Sequence, residues 1–296
     1  MILSLTTEYG WGPHDLEKML KIPEDSIYAC DGRKIMEGLD QQFKLNHYEI
    51  TCWIPKTGIE GIRDFIRENP EKKISSVHAY APLAEDFVYG PHPADCFNLA
   101  SCDETTRQHA IIELKKSISL AASFNCNRVL VHGGVNEPNK ERRENMNALM
   151  RSIEETLKYI YQNNLGITLG IENSLMHNQI FIRSDEIRQI VSFYPQAGLW
   201  LDSGHAFANP TSDFYKIVET CNDLVVGLHV HNNNGKDDLH APLDRGEIDF
   251  EYFFTPFKDR IIREELPVIL ELYSYRSNPS AEDVKRSIDL IKRING

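Results

Sequence analysis

Several kinds of protein are excluded by what this chain has little of. Its six cysteines (Cys30, Cys52, Cys96, Cys102, Cys126 and Cys221) form no C-x-x-C pair and keep no regular spacing. They read as reduced thiols, and the expected home is the cytoplasm. No apolar run approaches the length of a membrane-spanning helix. The start, MILSLTTEYGWG, lacks the basic region and cleavage-like site of a secretory signal. Positive charge is scarce: 32 Lys and Arg against 44 Asp and Glu give a net charge of -12. That weighs against a broad nucleic-acid-binding face and leaves room only for a local basic groove. There is no low-complexity tract, no short-period repeat and no composition break, so one domain over residues 1–296 is expected. At 41% hydrophobic residues, global disorder is ruled out as a description.

What is present is a recurring alternation. Short apolar runs stand at ILSLT (2–6), HYEITCWI (47–54), ISSVHA (74–79), NRVLVHGG (127–134), GITLGIEN (166–173), GLWLDSGH (198–205), DLVVGLHVH (223–231) and PVILELYS (267–274). Helical patterns lie between most of them: about Arg33 to Lys44, GIEGIRDFIREN, about Glu104 to Phe124, about Lys140 to Asn163, and SAEDVKRSIDLIKR after the last. Continuous apolar strands separated by helices imply a parallel sheet buried on both faces. Eight such units in 296 residues predict an α/β fold of the (β/α)8 barrel type. A doubly wound open sheet is the rival, but no Gly-rich phosphate loop follows the first strand.

The third to eighth runs each end in a potential metal ligand: His78, His132, Glu172, Asp202, His229 and Glu271. In a barrel the C-terminal strand ends surround one mouth, so residues distant in sequence converge there. A lone histidine at a strand end is ordinarily a hydrogen-bonded residue and nothing more. A carboxylate closing an apolar strand is harder to dismiss, because burying it is costly without a partner or a cation. Glu172, Asp202 and Glu271 are three such cases. Asp202 and His205 form D-x-x-H, and Asp238 and His240 form D-x-H in the loop after the seventh strand. Taken alone, Asp238 reads as an exposed turn carboxylate. His229 and His231 share one strand face by the two-residue repeat. The donors are all nitrogen and oxygen, which suits Zn²⁺, Mn²⁺ or Co²⁺ and less readily a lone Mg²⁺.

These segments, with VHAYAP, FNLAS, VLVHGG, GIENS, LDSGHAFA, HVHNN, DDLHAPLDRGEIDF and PVILEL in order, resemble the xylose isomerase-like TIM-barrel superfamily. Its members include sugar-phosphate isomerases and epimerases and the endonuclease IV type of apurinic endonuclease. The resemblance implies one metal held by Glu172, Asp202, His229 and Glu271, as in the isomerases. Three metals are implied if the endonuclease pattern is followed, with His78, His132, His205, Asp238 and His240 as further ligands. VHAYAP departs from the family's HAPY order, which puts the placement of His78 in question. LDSGHA and GIENS lack the wording typical of the endonuclease.

Two mechanisms follow from the resemblance. The first is isomerisation or epimerisation of a small carbohydrate through a metal-stabilised enediolate, with Glu172 and Glu271 as the acid–base pair. His205, His231, Trp11 and Arg276 would then contact substrate. A dehydratase would begin with the same proton abstraction. The second is zinc-dependent phosphodiester hydrolysis, with Glu172 bridging metals. The stretch from Pro82 to Asp103 holds Phe87, Tyr89 and Phe97 but no Arg or Lys, which suits capping a small pocket better than gripping phosphate. A metal-binding barrel without turnover is a third class. Arg245 reads as a surface salt-bridge partner, and Trp53 and Trp200 as core. The oligomeric state is open, a homo-oligomer included.

Overall fold

The computed structural model describes residues 1–7, 9, 31–83, 97–209, 213–272 and 277–296. Eight strands close into one parallel barrel in chain order. They are β1 (Leu3–Thr6), β2 (His47–Ile50), β3 (Lys73–His78), β4 (Arg128–His132), β5 (Thr168–Glu172), β6 (Ala197–Asp202), β7 (Val225–Val230) and β8 (Val268–Leu270). Closure is made where β8 returns to β1, pairing Val268 with Leu3 and Leu270 with Leu5. The single-domain (β/α)8 barrel predicted from the alternation is therefore the observed fold.

The described helices are α1 (Gly32–Phe43), α2 (Lys56–Glu68), α3 (Glu104–Ser123), α4 (Arg142–Gln162), α5 (Ser184–Val191), α6 (Ser203–Ala208), α7 (Phe214–Thr220), α8 (Phe250–Phe254), α9 (Lys258–Ile262) and α10 (Ala281–Asn295). Local chemistry sets their starts. Asp31, Asp103, Asp213 and Asp249 accept hydrogen bonds from first-turn amides, and Ser280 forms a capping box with Asp283. No helix among the described residues is long and apolar enough to cross a membrane.

Two expected strands end earlier than the apolar runs suggest. β2 stops at Ile50, four residues before the end of HYEITCWI. The run GLWLDSGH is strand only to Asp202. Ser203 begins helix α6, because the Asp202 carboxylate caps it by accepting from the His205 amide at 2.6 Å.

Alternation along the strands sends one set of side chains outward to the helices and the other into the lumen. Trp200, Leu130 and Ile269 form a small apolar cluster of their own, separate from the main core beneath the helices. Trp200 is fully buried and fits because its strand neighbours are glycines. A Cβ on Gly227 would stand 2.2 Å from Trp200 Cζ3, and one on Gly170 would stand 2.7 Å from Cε3. The indole lies under the His229 ring, edge to face at 5.6 Å between centroids. Trp53 is also buried, as expected. The lumen is thus plugged by carbon below a polar mouth.

Candidate metal centre

Each polar residue at the mouth is placed by a strand end or by the loop just beyond it. His78, His132, Glu172 and Asp202 are the last residues of β3 to β6, His229 is the penultimate residue of β7, and Glu271 follows β8. Asp238 and His240 come from the β7–α8 loop. Three groups form, in each of which one donor atom per residue lies within 4.8 Å of the others: Glu172, Asp202, His229 and Glu271; His78, His132 and Glu172; and His205, His231, Asp238 and His240. All nine positions carried over from the family resemblance are therefore brought together, and His231 joins them. His78 lies among them despite the VHAYAP order, its Nε2 3.4 Å from Glu172 Oε2. Asp238 is not an exposed turn residue; its side chain is 8% exposed and faces inward.

In the first group three carboxylates converge on one ring nitrogen. His229 Nδ1 is 3.0 Å from Glu172 Oε1, 3.2 Å from Glu271 Oε2 and 3.9 Å from Asp202 Oδ2. Glu172 divides its oxygens: Oε1 faces His229, while Oε2 faces His132 Nε2 at 3.2 Å and His78 Nε2. In the third group the His231 and His240 rings stack at 3.9 Å. Asp238 Oδ2 is 3.0 Å from His240 Nε2 and 3.7 Å from His205 Nε2. His231 Nε2 reaches Asp202 Oδ1 at 3.1 Å, linking this group to the first.

Three of the histidines are held as metal-binding imidazoles are held, with one ring nitrogen tied back and the other turned inward. A carbonyl oxygen can only accept, so the nitrogen facing one must carry the proton. His78 Nδ1 donates to the Ala79 carbonyl at 2.7 Å, His205 Nδ1 to Asn173 at 3.1 Å, and His240 Nδ1 to Glu271 at 3.0 Å. In each the Nε2 lone pair is left for the cluster. Glu172 Oε2 and Asp202 Oδ2 are buried yet make no hydrogen bond. Such a donor set, oxygen and nitrogen only, aimed inward and short of donors, fits divalent cations.

Electrostatics agree. Burial opposes charge on His229, but Glu271, Glu49 and Glu172 outweigh it and hold its pKa well above the ordinary range. Burial likewise opposes ionisation of Glu172 and Glu271, yet the neighbouring imidazoles, His229 foremost, hold both carboxyls well below theirs. His132 differs: burial prevails and pushes it down to about 4.

Sequence reasoning missed several members of the mouth. Glu49, on β2, is fully buried and reaches the far side of the His229 ring, with Oε1 3.0 Å from Nε2. Asn173 and Asp202 exchange hydrogen bonds between the ends of β5 and β6. Ser203 and His231 do the same between the ends of β6 and β7. Asn232 holds the β7–α8 loop, donating to Leu243 O and accepting from Asn233 N and Ile248 N. An alternation count on HYEI would have flagged Glu49 as an inward carboxylate; the amide and hydroxyl residues gave no such signal. Trp11, Arg276, Phe87 and Tyr89 lie outside the described residues. Arg245 pairs with Asp283 at 2.5 Å, as a salt-bridge partner should.

A family model described as xylose isomerase-like TIM barrel matches residues 53–294. Two relatives from Methanocaldococcus jannaschii are uncharacterized. MJ1614 is 26% identical over 211 residues, covering 71% of this chain and 78% of its own. MJ1188 is 24% identical over 247 residues, covering 78% and 88%. Among solved structures, a D-tagatose 3-epimerase-like protein superposes with a TM-score of 0.74 at 19% identity, over 99% of this chain and 97% of its own. A D-psicose 3-epimerase from Clostridium cellulolyticum H10, with D-tagatose, gives 0.70 at 12% identity over 99% of both chains. At these identities the superpositions establish the shared fold.

Proposed function

The chain belongs to the xylose isomerase-like TIM-barrel family, and from that premise we propose that it is a divalent-metal-dependent sugar isomerase or epimerase acting on a small carbohydrate in the cytoplasm. One observation carries the reading: Glu172 and Glu271 approach the same His229 nitrogen at 3.0 and 3.2 Å, so two buried carboxylates are brought together at the mouth. One carboxylate removes the proton from the carbon beside a sugar carbonyl. The other returns a proton to the opposite face for epimerisation; alternatively, one group moves the proton between adjacent carbons for isomerisation. Glu172, Asp202, His229 and Glu271 would hold the cation, which when bound polarises the carbonyl and adjoining hydroxyl oxygens and makes that carbon acidic. Zn²⁺, Mn²⁺ and Co²⁺ suit the donors, with one ion per chain in this reading and up to three if the other two groups are loaded as well. His205 and His231 would orient substrate hydroxyls if the third group stays free of metal. The epimerase folds nearby support this substrate class. The four described cysteines are free thiols, in keeping with a reducing compartment.

A second reading has a specific observation behind it. Glu172 turns its two oxygens toward two different ligand groups, and a third group closes around Asp238. A carboxylate engaged on both oxygens cannot serve as a base. With all three groups loaded, the site would suit hydrolysis of a phosphoester instead, with Glu172 as a bridge.

Two measurements decide. Elemental analysis of purified protein should give near one metal per chain for the first reading and near three for the second. Ketohexoses and ketopentoses incubated with the protein in deuterated water should acquire deuterium on carbon. No exchange, together with nicking of an abasic oligonucleotide that Glu271→Gln abolishes, would replace the first reading by the second.

A further inference from the structure

Glu49 has a place in the mouth that neither the ligand groups nor the acid–base pair uses. It sits on β2 with Tyr48 and Ile50 as sequence neighbours, and the two-residue repeat turns it into the lumen while they pack outward. It is wholly buried. A buried carboxylate costs several kcal/mol without partners, and Glu49 has two. Ser76 Oγ donates to Oε2 at 2.6 Å, and His229 Nε2 stands 3.0 and 3.2 Å from Oε1 and Oε2.

The orientation is informative. Glu49 lies on the side of the imidazole opposite Glu172, Asp202 and Glu271, so it does not belong to their group. Nε2 donates its proton to the Glu49 carboxylate, which leaves Nδ1, the nitrogen facing the three ligand carboxylates, as the one that would give up its proton to a cation. His78, His205 and His240 have their outer nitrogens tied to backbone carbonyls. Among these four rings, His229 alone has a carboxylate rather than a carbonyl on its outer nitrogen, which makes it the strongest nitrogen donor of the four.

We propose that Glu49 is a positioning residue: it fixes the tautomer and orientation of His229, braced by Ser76, and so sets the affinity of the Glu172–Asp202–His229–Glu271 site for its cation. This rests on the metal centre proposed above. The test is competition for Co²⁺ between the full-length protein and a chromophoric chelator, with the cobalt absorption spectrum recorded for native, Glu49→Gln and Glu49→Leu proteins. Unfolding of the metal-free forms is measured in parallel.

Glu49→Gln keeps the shape and a neutral acceptor, as the carbonyls provide for the other rings. It should weaken cobalt binding about 10- to 100-fold and shift the spectrum, while the metal-free protein is as stable as native or more so. Glu49→Leu, which removes the acceptor, should weaken binding further. Ser76→Ala should fall between native and Glu49→Gln. Glu49→Gln with native affinity and a native spectrum would overturn the proposal. So would affinity lost only in step with lost stability, the mark of a merely structural role. If the native protein bound no cobalt, the metal centre itself would fall and this role with it; native binding alongside an unaffected Glu49→Gln would sink the role alone.

Discussion

Replacing Gly227 by alanine tests whether the lumen floor is as tightly filled as it looks. The added methyl would stand 2.2, 2.4 and 2.5 Å from Cζ3, Cε3 and Cη2 of Trp200. Carbon atoms settle near 3.5–4.0 Å, so ring and strand must part by about 1.3 Å or more. The indole has nowhere to go. Leu130 and Ile269 pack against it in the lumen, Gly170 on β5 abuts its Cε3 edge, and His229 lies above. Overpacking of this kind costs about 1–3 kcal/mol, and the fixed strand backbone places this case at the upper end. Trp200→Phe removes the atoms in conflict. It carries its own cavity cost, yet in its presence Gly227→Ala should become nearly neutral. Denaturant unfolding of the four proteins in chelator, followed by far-UV circular dichroism, gives the coupling directly. A stabilising coupling of about 1 kcal/mol or more is expected. A Gly227→Ala midpoint equal to native, or strictly additive double-variant data, would refute the account of the floor.

Other outcomes follow from the same geometry. Asn232→Ala leaves Leu243 O, Asn233 N and Ile248 N without their side-chain partner, at about 1–3 kcal/mol in all. Hydrogen exchange should rise across residues 233–248, and an unchanged exchange pattern there would contradict this. Glu186 is buried beneath Arg142, which it binds through both oxygens, and it accepts from the Ile182 amide. Burial raises its pKa, but Arg142 outweighs that and the carboxyl is held below its ordinary value. A depressed carboxylate contributes stability that is full above its unfolded pKa and lost as pH falls through the folded value. The gap in melting temperature between native and Glu186→Gln proteins should therefore be full near neutrality and close below about pH 4; a constant gap would contradict this. Glu271→Gln should cut deuterium exchange into a ketose by at least about 100-fold while leaving the barrel's circular dichroism unchanged.

Much of the mouth was legible because a barrel turns strand ends into neighbours. A carboxylate after GITLGI or GLWL announces itself, since nothing in an apolar strand explains it. Glu49 escaped because the apolar run HYEITCWI continues past the true strand end at Ile50, so the glutamate read as mid-strand. Its partner His229 is 180 residues away, and no local pattern joins them. The helix hidden in LDSGHA was legible in principle, as an aspartate ahead of three residues it can cap. The apolar run masked it. The clamps made by Asn173, Ser203 and Asn232 depend on how strand ends and loops meet in space, which composition and periodicity do not encode.

Asp202 performs two tasks with one carboxylate. Its Oδ1 anchors the first turn of α6 through the His205 amide, and that short helix carries the His205 imidazole into the third ligand group. Any pull on Asp202 from the first group therefore acts, through one hydrogen bond, on the very residue whose imidazole addresses another group. The two halves of the mouth are geared together, and a substitution that retunes one will arrive at the other as a change in angle.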